Sequence, residues 1–220
     1  PTFLRNVPPD NYQGRSIIDL AKHYGWTELA VVYTNDGYGA GIFQIVQDAA
    51  FSEGISITNI ASIDPSASDY TSPLSSFTKA QPRVVLLLVS LEAFGGVMNA
   101  FKALDFHPKA IVGSDAITFA FSDPASFGIT AGDMNGIIAT APSGGYGPKF
   151  EAFKTEMAAM PATAPVRVYY DLADAYAVLV LDTVFNYADA MVRVINAGQS
   201  PRNLTALLDA MLSTDATFLT

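Results

Sequence analysis

Through the first two thirds of the chain, short apolar runs alternate with stretches of helical spacing. Residues 29–33, 84–89 and 110–112 are unbroken apolar runs, the pattern of strands covered on both faces; 55–63 alternates, and 136–141 is one more apolar run. Between them, Ile17, Ile18, Leu20, Ala21 and Tyr24 recur at helical spacing over 11–24, with Gly25 placed as a C-terminal cap. Further helices are predicted over 41–51, over 71–80 with Pro82 ending it, and over 91–104. Strands interleaved with helices in this way predict an α/β chain built on a doubly wound parallel sheet.

The pattern changes at Pro142. From there only helices are predicted, over 150–160, 168–197 and 204–212, with a Pro-rich loop over 160–165 and Gly198 closing the longest. That helix carries Tyr169, Leu172, Ala173, Tyr176, Leu179, Val180, Val184, Phe185 and Met191 on nearly every face, which predicts that it is buried. Residues 9–141 are therefore expected to form an essentially complete lobe. Residues 142–220 are expected to belong to a neighbouring lobe whose front part is absent, and Phe3 and Leu4 followed by Pro8 and Pro9 read as a strand running into a rigid crossover.

Composition then narrows the class. Of the 220 residues, 50% are hydrophobic and 15% charged, ample for a core. The formal net charge of -9, with no long basic run, disfavours nucleic acid and anionic membranes. The absence of cysteine removes disulfides and thiolate metal sites. The longest apolar run, 84–89, is far short of the roughly 18 residues a membrane-spanning helix needs.

Candidate chemistry gathers where strands run into helices, since an open α/β sheet binds ligands outside the carboxyl ends of its strands. Tyr38 lies there, in a turn where Gly37, Gly39 and Gly41 are expected to let the backbone swing into a helix. It is either a ligand contact or an aromatic plug at the sheet end. Asp115 follows the strand at 110–112 and reads as a ligand partner, as the N-cap of a short helix over 116–120, or as both. Ala116, Ser90 and Leu91 line the same edge. Glu92 also reads as a first-turn acid favoured by the helix dipole, and Asn35 and Asp36 as residues that shape the turn. An enzyme is the rival class, but His23 and His107 neighbour no plausible nucleophile, and G-x-S-x-G, H-E-x-x-H and G-x-x-x-x-G-K-[ST] are absent. The glycines at 37, 39 and 41 do not fit the dinucleotide fingerprint, so no cofactor and no metal is expected.

Five segments, taken in order, carry a resemblance: FLRNVPPDNYQGRSIIDLAKHYGW, VVYTNDGYGAG, KAIVGSDAITFAFSDP, GIIATAP and YYDLADAYAVLVLDT. The chain resembles the type I periplasmic binding proteins and receptor ligand-binding regions, a family that includes leucine/isoleucine/valine-type solute-binding proteins and class C receptor ectodomains. The resemblance implies two lobes joined by crossovers, with residues 1–8 a first-lobe remnant and crossover, 9–141 the second lobe and 142–220 the helical back part of the first, a ligand in the cleft between them, and hinge closure rather than catalysis. In amino-acid-binding members, a tyrosine after the lobe's first strand stacks over the ligand's ammonium and an acidic residue after a later strand pairs with it. By motif these are Tyr38 and Asp115. A desolvated ammonium needs a charge partner and gains about 0.5 to 2 kcal/mol from an aromatic face.

What the resemblance implies is a periplasmic or extracellular protein that binds a small organic solute, an amino acid foremost. It would act in uptake with the membrane permease of an ABC transporter, or alternatively as the sensing ectodomain of a receptor with its own transmembrane module. The cysteine-free, acidic sequence favours uptake, because receptor ectodomains usually carry disulfides. The triplet Asn203-Leu204-Thr205 leans slightly toward the receptor. The apolar faces of the last helices raise the expectation of a homo-oligomer.

Overall fold

The computed structural model describes residues 7–142, 147–161, 163 and 175–213, with side chains of the long helix from 178 onward. The chain divides into two compact units, Pro9–Ala141 and Pro1–Pro8 with Pro142–Thr220.

In the first unit, β1 (Glu28–Thr34), β2 (Ser56–Ile63), β3 (Val84–Leu88), β4 (Ala110–Gly113) and β5 (Ile137–Ala139) form one parallel sheet in the order β2-β1-β3-β4-β5. Chain progression reverses between β1 and β3, and a doubly wound sheet opens a crevice at such a switch point. Because side chains alternate across a strand, β1 feeds two cores. Leu29 and Val31 pack with Leu86 and Leu88 beneath α1 (Asp10–His23) and α2 (Gly37–Ser52), through Ile17, Ile18, Ile42 and Val46. Ala30 and Val32 pack with Val85 and Leu87 beneath α3 (Thr71–Ala80) and α4 (Leu91–Ala103), against Phe77, Phe94 and Phe101. Two covered faces explain why β3 is buried at all five positions, whereas β2, at the sheet's edge, is buried only near its end.

After β4 come three 3-10 segments, Asp115–Phe121, Pro124–Phe127 and Ala131–Met134, where the sequence predicts one short helix in a loop. They are fastened to α4. Asn99 Nδ2 donates to the Gly128 carbonyl at 3.2 Å, and Lys102 Nζ meets Asp133 Oδ2 at 2.6 Å. Asp133 also closes a capping box with Thr130, so that Lys102 first, and then the Thr130 N–H and hydroxyl, hold its carboxyl down, at about 2.

The second unit, as described, consists of α5 (Pro148–Ala159), α6 (Ala175–Asn196) and α7 (Leu204–Leu212). Gly198, at φ 73°, ends α6, and Asn203 caps α7 by accepting the Ala206 N–H at 3.3 Å. Arg193 of α6 donates through Nη2 to the Ala210 carbonyl of α7 at 2.5 Å. The expectation that the long helix is buried all round is corrected here. Val178, Leu179, Ala190 and Val194 are buried, but Val180, Val184, Phe185 and Val192 are exposed. Tyr169, Leu172 and Ala173, and the side chain of Tyr176, lie outside the described residues.

Candidate functional site

The carboxyl ends of β1, β3 and β4 stand side by side, and the first residues beyond them form the site. Beyond β1, Asp36 caps α2: its Oδ1 accepts the Gly39 N–H at 2.7 Å and the Thr34 hydroxyl at 3.1 Å. This cap starts the helix at Gly37, four residues before the predicted position, so Tyr38 sits in the first helical turn and not in a loop. Positive φ occurs at none of Gly37, Gly39 and Gly41, so the turn does not need their freedom. Gly39 serves a different purpose. A Cβ there would lie 2.4 Å from the Thr34 carbonyl oxygen and 2.7 Å from that of Leu88, so only glycine lets the helix sit this close to the ends of β1 and β3.

Thr34, fully buried at the last position of β1, joins the strand ends. Its hydroxyl oxygen accepts the Ser90 N–H at 3.3 Å while donating to Asp36. Ser90 is the N-cap of α4, yet its hydroxyl bonds no amide of that helix, and its buried Oγ has no hydrogen-bond partner among the described residues. Leu91 opens α4, half-buried, and Glu92 is exposed in the first turn.

Across β3 from Tyr38, Asp115 is the first residue of its 3-10 segment; Ser114, not Asp115, holds the cap position. The Tyr38 phenol donates to Asp115 Oδ1 at 2.5 Å and accepts the Ala116 N–H at 3.3 Å. Burial raises the phenol's pKa above its ordinary value, and the hydrogen bond to Asp115 raises it further, while Ser114 and the Ala116 amide act in the opposite sense. The phenol is therefore a neutral donor at physiological pH. Fully buried Ser114 lies beside it, its own hydroxyl without a partner of good geometry.

The structure thus joins Tyr38, Asp115 and Ala116 directly, and joins Ser90 to Thr34; no bond links Leu91 to either group. Thr34 and Ser114 were missed from the sequence, where each reads as the polar end of an apolar strand. Replacing Asp115 with Asn is expected to lower the Tyr38 pKa only part of the way to that of a free phenol, because burial is the larger cause. NMR titration of labelled tyrosine checks this, and an unchanged pKa would contradict the assigned causes.

His23 is exposed at the end of α1, its ring against Tyr24 at 5.1 Å, and exposed His107 meets Asp105 at 3.1 Å. Among the described residues, no cluster of metal-ligating side chains occurs, and no helix is long and apolar enough to cross a membrane.

Comparison with known proteins covers nearly the whole chain. The family described as "Receptor family ligand binding region" matches residues 1–217. Metabotropic glutamate receptor-like protein E of Dictyostelium discoideum is 28% identical over 157 residues, 67% of this chain and 18% of that protein. Human taste receptor type 1 member 1 is 37% identical over 57 residues, 26% of this chain and 7% of that receptor. An ABC transporter substrate-binding protein from Desulfitobacterium hafniense superposes with a TM-score of 0.67 at 14% identity, covering 94% of this chain and 55% of that one. A second structure from that organism, titled as a complex with Leu, gives 0.65 at 15% identity and the same coverage. At such identities the two structures bear on the fold. The chain spans about half the length of these solved proteins and less than a fifth of the curated relatives named here.

Proposed function

The chain belongs to the receptor family of ligand-binding regions, and we propose that the carboxyl edge of the Pro9–Ala141 unit binds a small organic ligand carrying an ammonium group, an amino acid foremost. The observation that carries this reading is the Tyr38–Asp115 hydrogen bond across β3, at the switch point of the sheet. It holds a carboxylate and an aromatic ring together where a doubly wound sheet opens its crevice, and that pair suits a desolvated ammonium. The buried hydroxyls of Ser90 and Ser114 at the same edge, which have no well-formed hydrogen-bond partner among the described residues, support it, because buried polar groups are expected to find partners. The fold and the family are those of ligand-binding proteins. Binding and release, with no covalent step, are the activity proposed.

Two settings compete for this binding. Uptake with an ABC-type permease has the support of the cysteine-free, acidic sequence and of the fold shared with ABC substrate-binding proteins, one of them titled as a complex with Leu. A receptor ectodomain has the support of the two curated relatives named above, which are a receptor and a receptor-like protein. We favour uptake, in a periplasmic or extracellular location.

A thermal-shift screen of the full-length protein against amino acids and small carboxylates, followed by calorimetric titration, tests the reading. Tyr38→Ala and Asp115→Ala are each expected to weaken an α-amino ligand at least tenfold, about 1.4 kcal/mol. Undiminished affinity in both variants would remove the site from this edge.

A further inference from the structure

At the opposite edge of the same sheet, where the strands begin, lies a groove of about 840 Å³. This falls within the size range of small-molecule pockets, roughly 300 to 1,000 Å³. With β1 seven residues long and each residue advancing about 3.3 Å, the groove is some 20 Å from Tyr38 and Asp115. Nothing in the reading of the carboxyl edge uses it.

Its lining has two chemistries. One is aromatic: Tyr24 and Trp26, just before β1, stack with ring centroids 5.0 Å apart and planes at 21°, and Tyr24 is exposed. The other is cationic. Arg83 and Lys109 precede β3 and β4, and the Lys109 N–H donates to the Arg83 carbonyl at 2.8 Å, which sets the two residues side by side at a strand spacing of about 4.8 Å. Neither side chain forms an ion pair among the described residues, in a chain with 21 acidic residues and only 12 basic ones. Adjacent like charges on neighbouring strands repel, so the arrangement is costly until an anion lies between them. Glu28 of β1 also lines the groove and makes no ion pair among the described residues. Two cations and one carboxylate leave a single positive charge, which matches a monoanion better than a phosphate. On one rim Gln81 holds a left-handed conformation, φ 48°, at the end of α3 and fixes the backbone leading into Arg83.

We propose that this groove is a second binding site, for a small planar monocarboxylate whose ring lies against Trp26 and whose carboxylate lies between Arg83 and Lys109. The guanidinium offers a forked pair of donors to a carboxylate, the ammonium adds charge, and the indole gives a flat apolar face for a ring.

Trp26 is the only tryptophan in the sequence, so its fluorescence reports the groove directly. The test uses the 220-residue chain with benzoate as probe, benzamide as its uncharged counterpart and inorganic phosphate as the non-planar anion. Benzoate is expected to change Trp26 emission saturably, with benzamide and phosphate each at least tenfold weaker. Arg83→Ala combined with Lys109→Ala is expected to weaken benzoate at least tenfold, and both residues are exposed, so the fold should survive. Asp115→Asn should leave the benzoate response unchanged, which separates this site from the proposed one at the other edge. No saturable response, equal binding of benzamide, or full benzoate affinity in the double variant would each overturn the proposal. The benzamide comparison needs no variant and stands even if the double substitution misfolds.

Discussion

Gly95→Ala is expected to destabilise the Pro9–Ala141 unit by about 3 kcal/mol, the upper part of the range for overpacking a well-filled core. Gly95 is buried in α4, and a Cβ built there would lie 1.9 Å from the carbonyl oxygen of Phe127 and 2.9 Å from its carbon. The obstacle is backbone, so no rotamer change relieves it. The 3-10 segment Pro124–Phe127 would have to lift from α4, loosening the Asn99 bond to the Gly128 carbonyl and the packing of Phe127 on the core. At about 2 to 4 °C per kcal/mol for a chain of this size, the melting temperature should fall by roughly 6 to 12 °C. Gly113→Ala is the control. The three atoms nearest its Cβ all belong to the Ile117 side chain, Cδ1 first, which a change of rotamer can partly relieve, so its cost should be smaller. Calorimetric melting of the two variants decides the matter, and equal small shifts would show that the segment does not press on α4.

What the sequence made legible followed from periodicity. The run at 84–89 became β3, the helix predicted over 71–80 is α3, Thr71–Ala80, and the order of strands and helices is that of a parallel doubly wound sheet. Periodicity fails where elements are too short to show it. The 3-10 segments after Asp115 are four to seven residues long, too short for a repeat to register. One signal was available there, the Thr130…Asp133 spacing of a capping box. Sequence order also hides contacts across strands. Tyr38 and Asp115 could each be singled out, but their hydrogen bond spans 77 positions and depends on β3 lying between β1 and β4. The groove at the other edge was hidden for the same reason, since Trp26, Arg83 and Lys109 belong to three separate loops.

The glycines of the DGYGAG stretch look alike in the sequence and should respond oppositely to substitution. Gly41 has open space around its missing Cβ, lies inside α2 and has no positive φ, so Gly41→Ala should stabilise the protein by about 0.5 to 1 kcal/mol through helix propensity alone. Gly39 stands two residues earlier in the same helix and gains the same propensity. Its Cβ, however, would lie 2.4 Å from the Thr34 carbonyl oxygen, 2.5 Å from the Thr34 hydroxyl and 2.7 Å from the Leu88 carbonyl oxygen. Two of these are main-chain atoms of adjacent central strands, and the third is the hydroxyl that links Asp36 to Ser90. Gly39→Ala should therefore cost about 2 to 3 kcal/mol net of the propensity gain. It should also push the first turn of α2 away from the sheet. Because Tyr38 rides on that turn, its bond to Asp115 would lengthen and the phenol would become more exposed, which lowers its pKa toward the ordinary value. The two readouts, melting temperature and Tyr38 titration by NMR, should move together in Gly39→Ala and not in Gly41→Ala. A stable Gly39→Ala variant with an unshifted Tyr38 would mean that the close approach of helix and strand ends does not hold the site together.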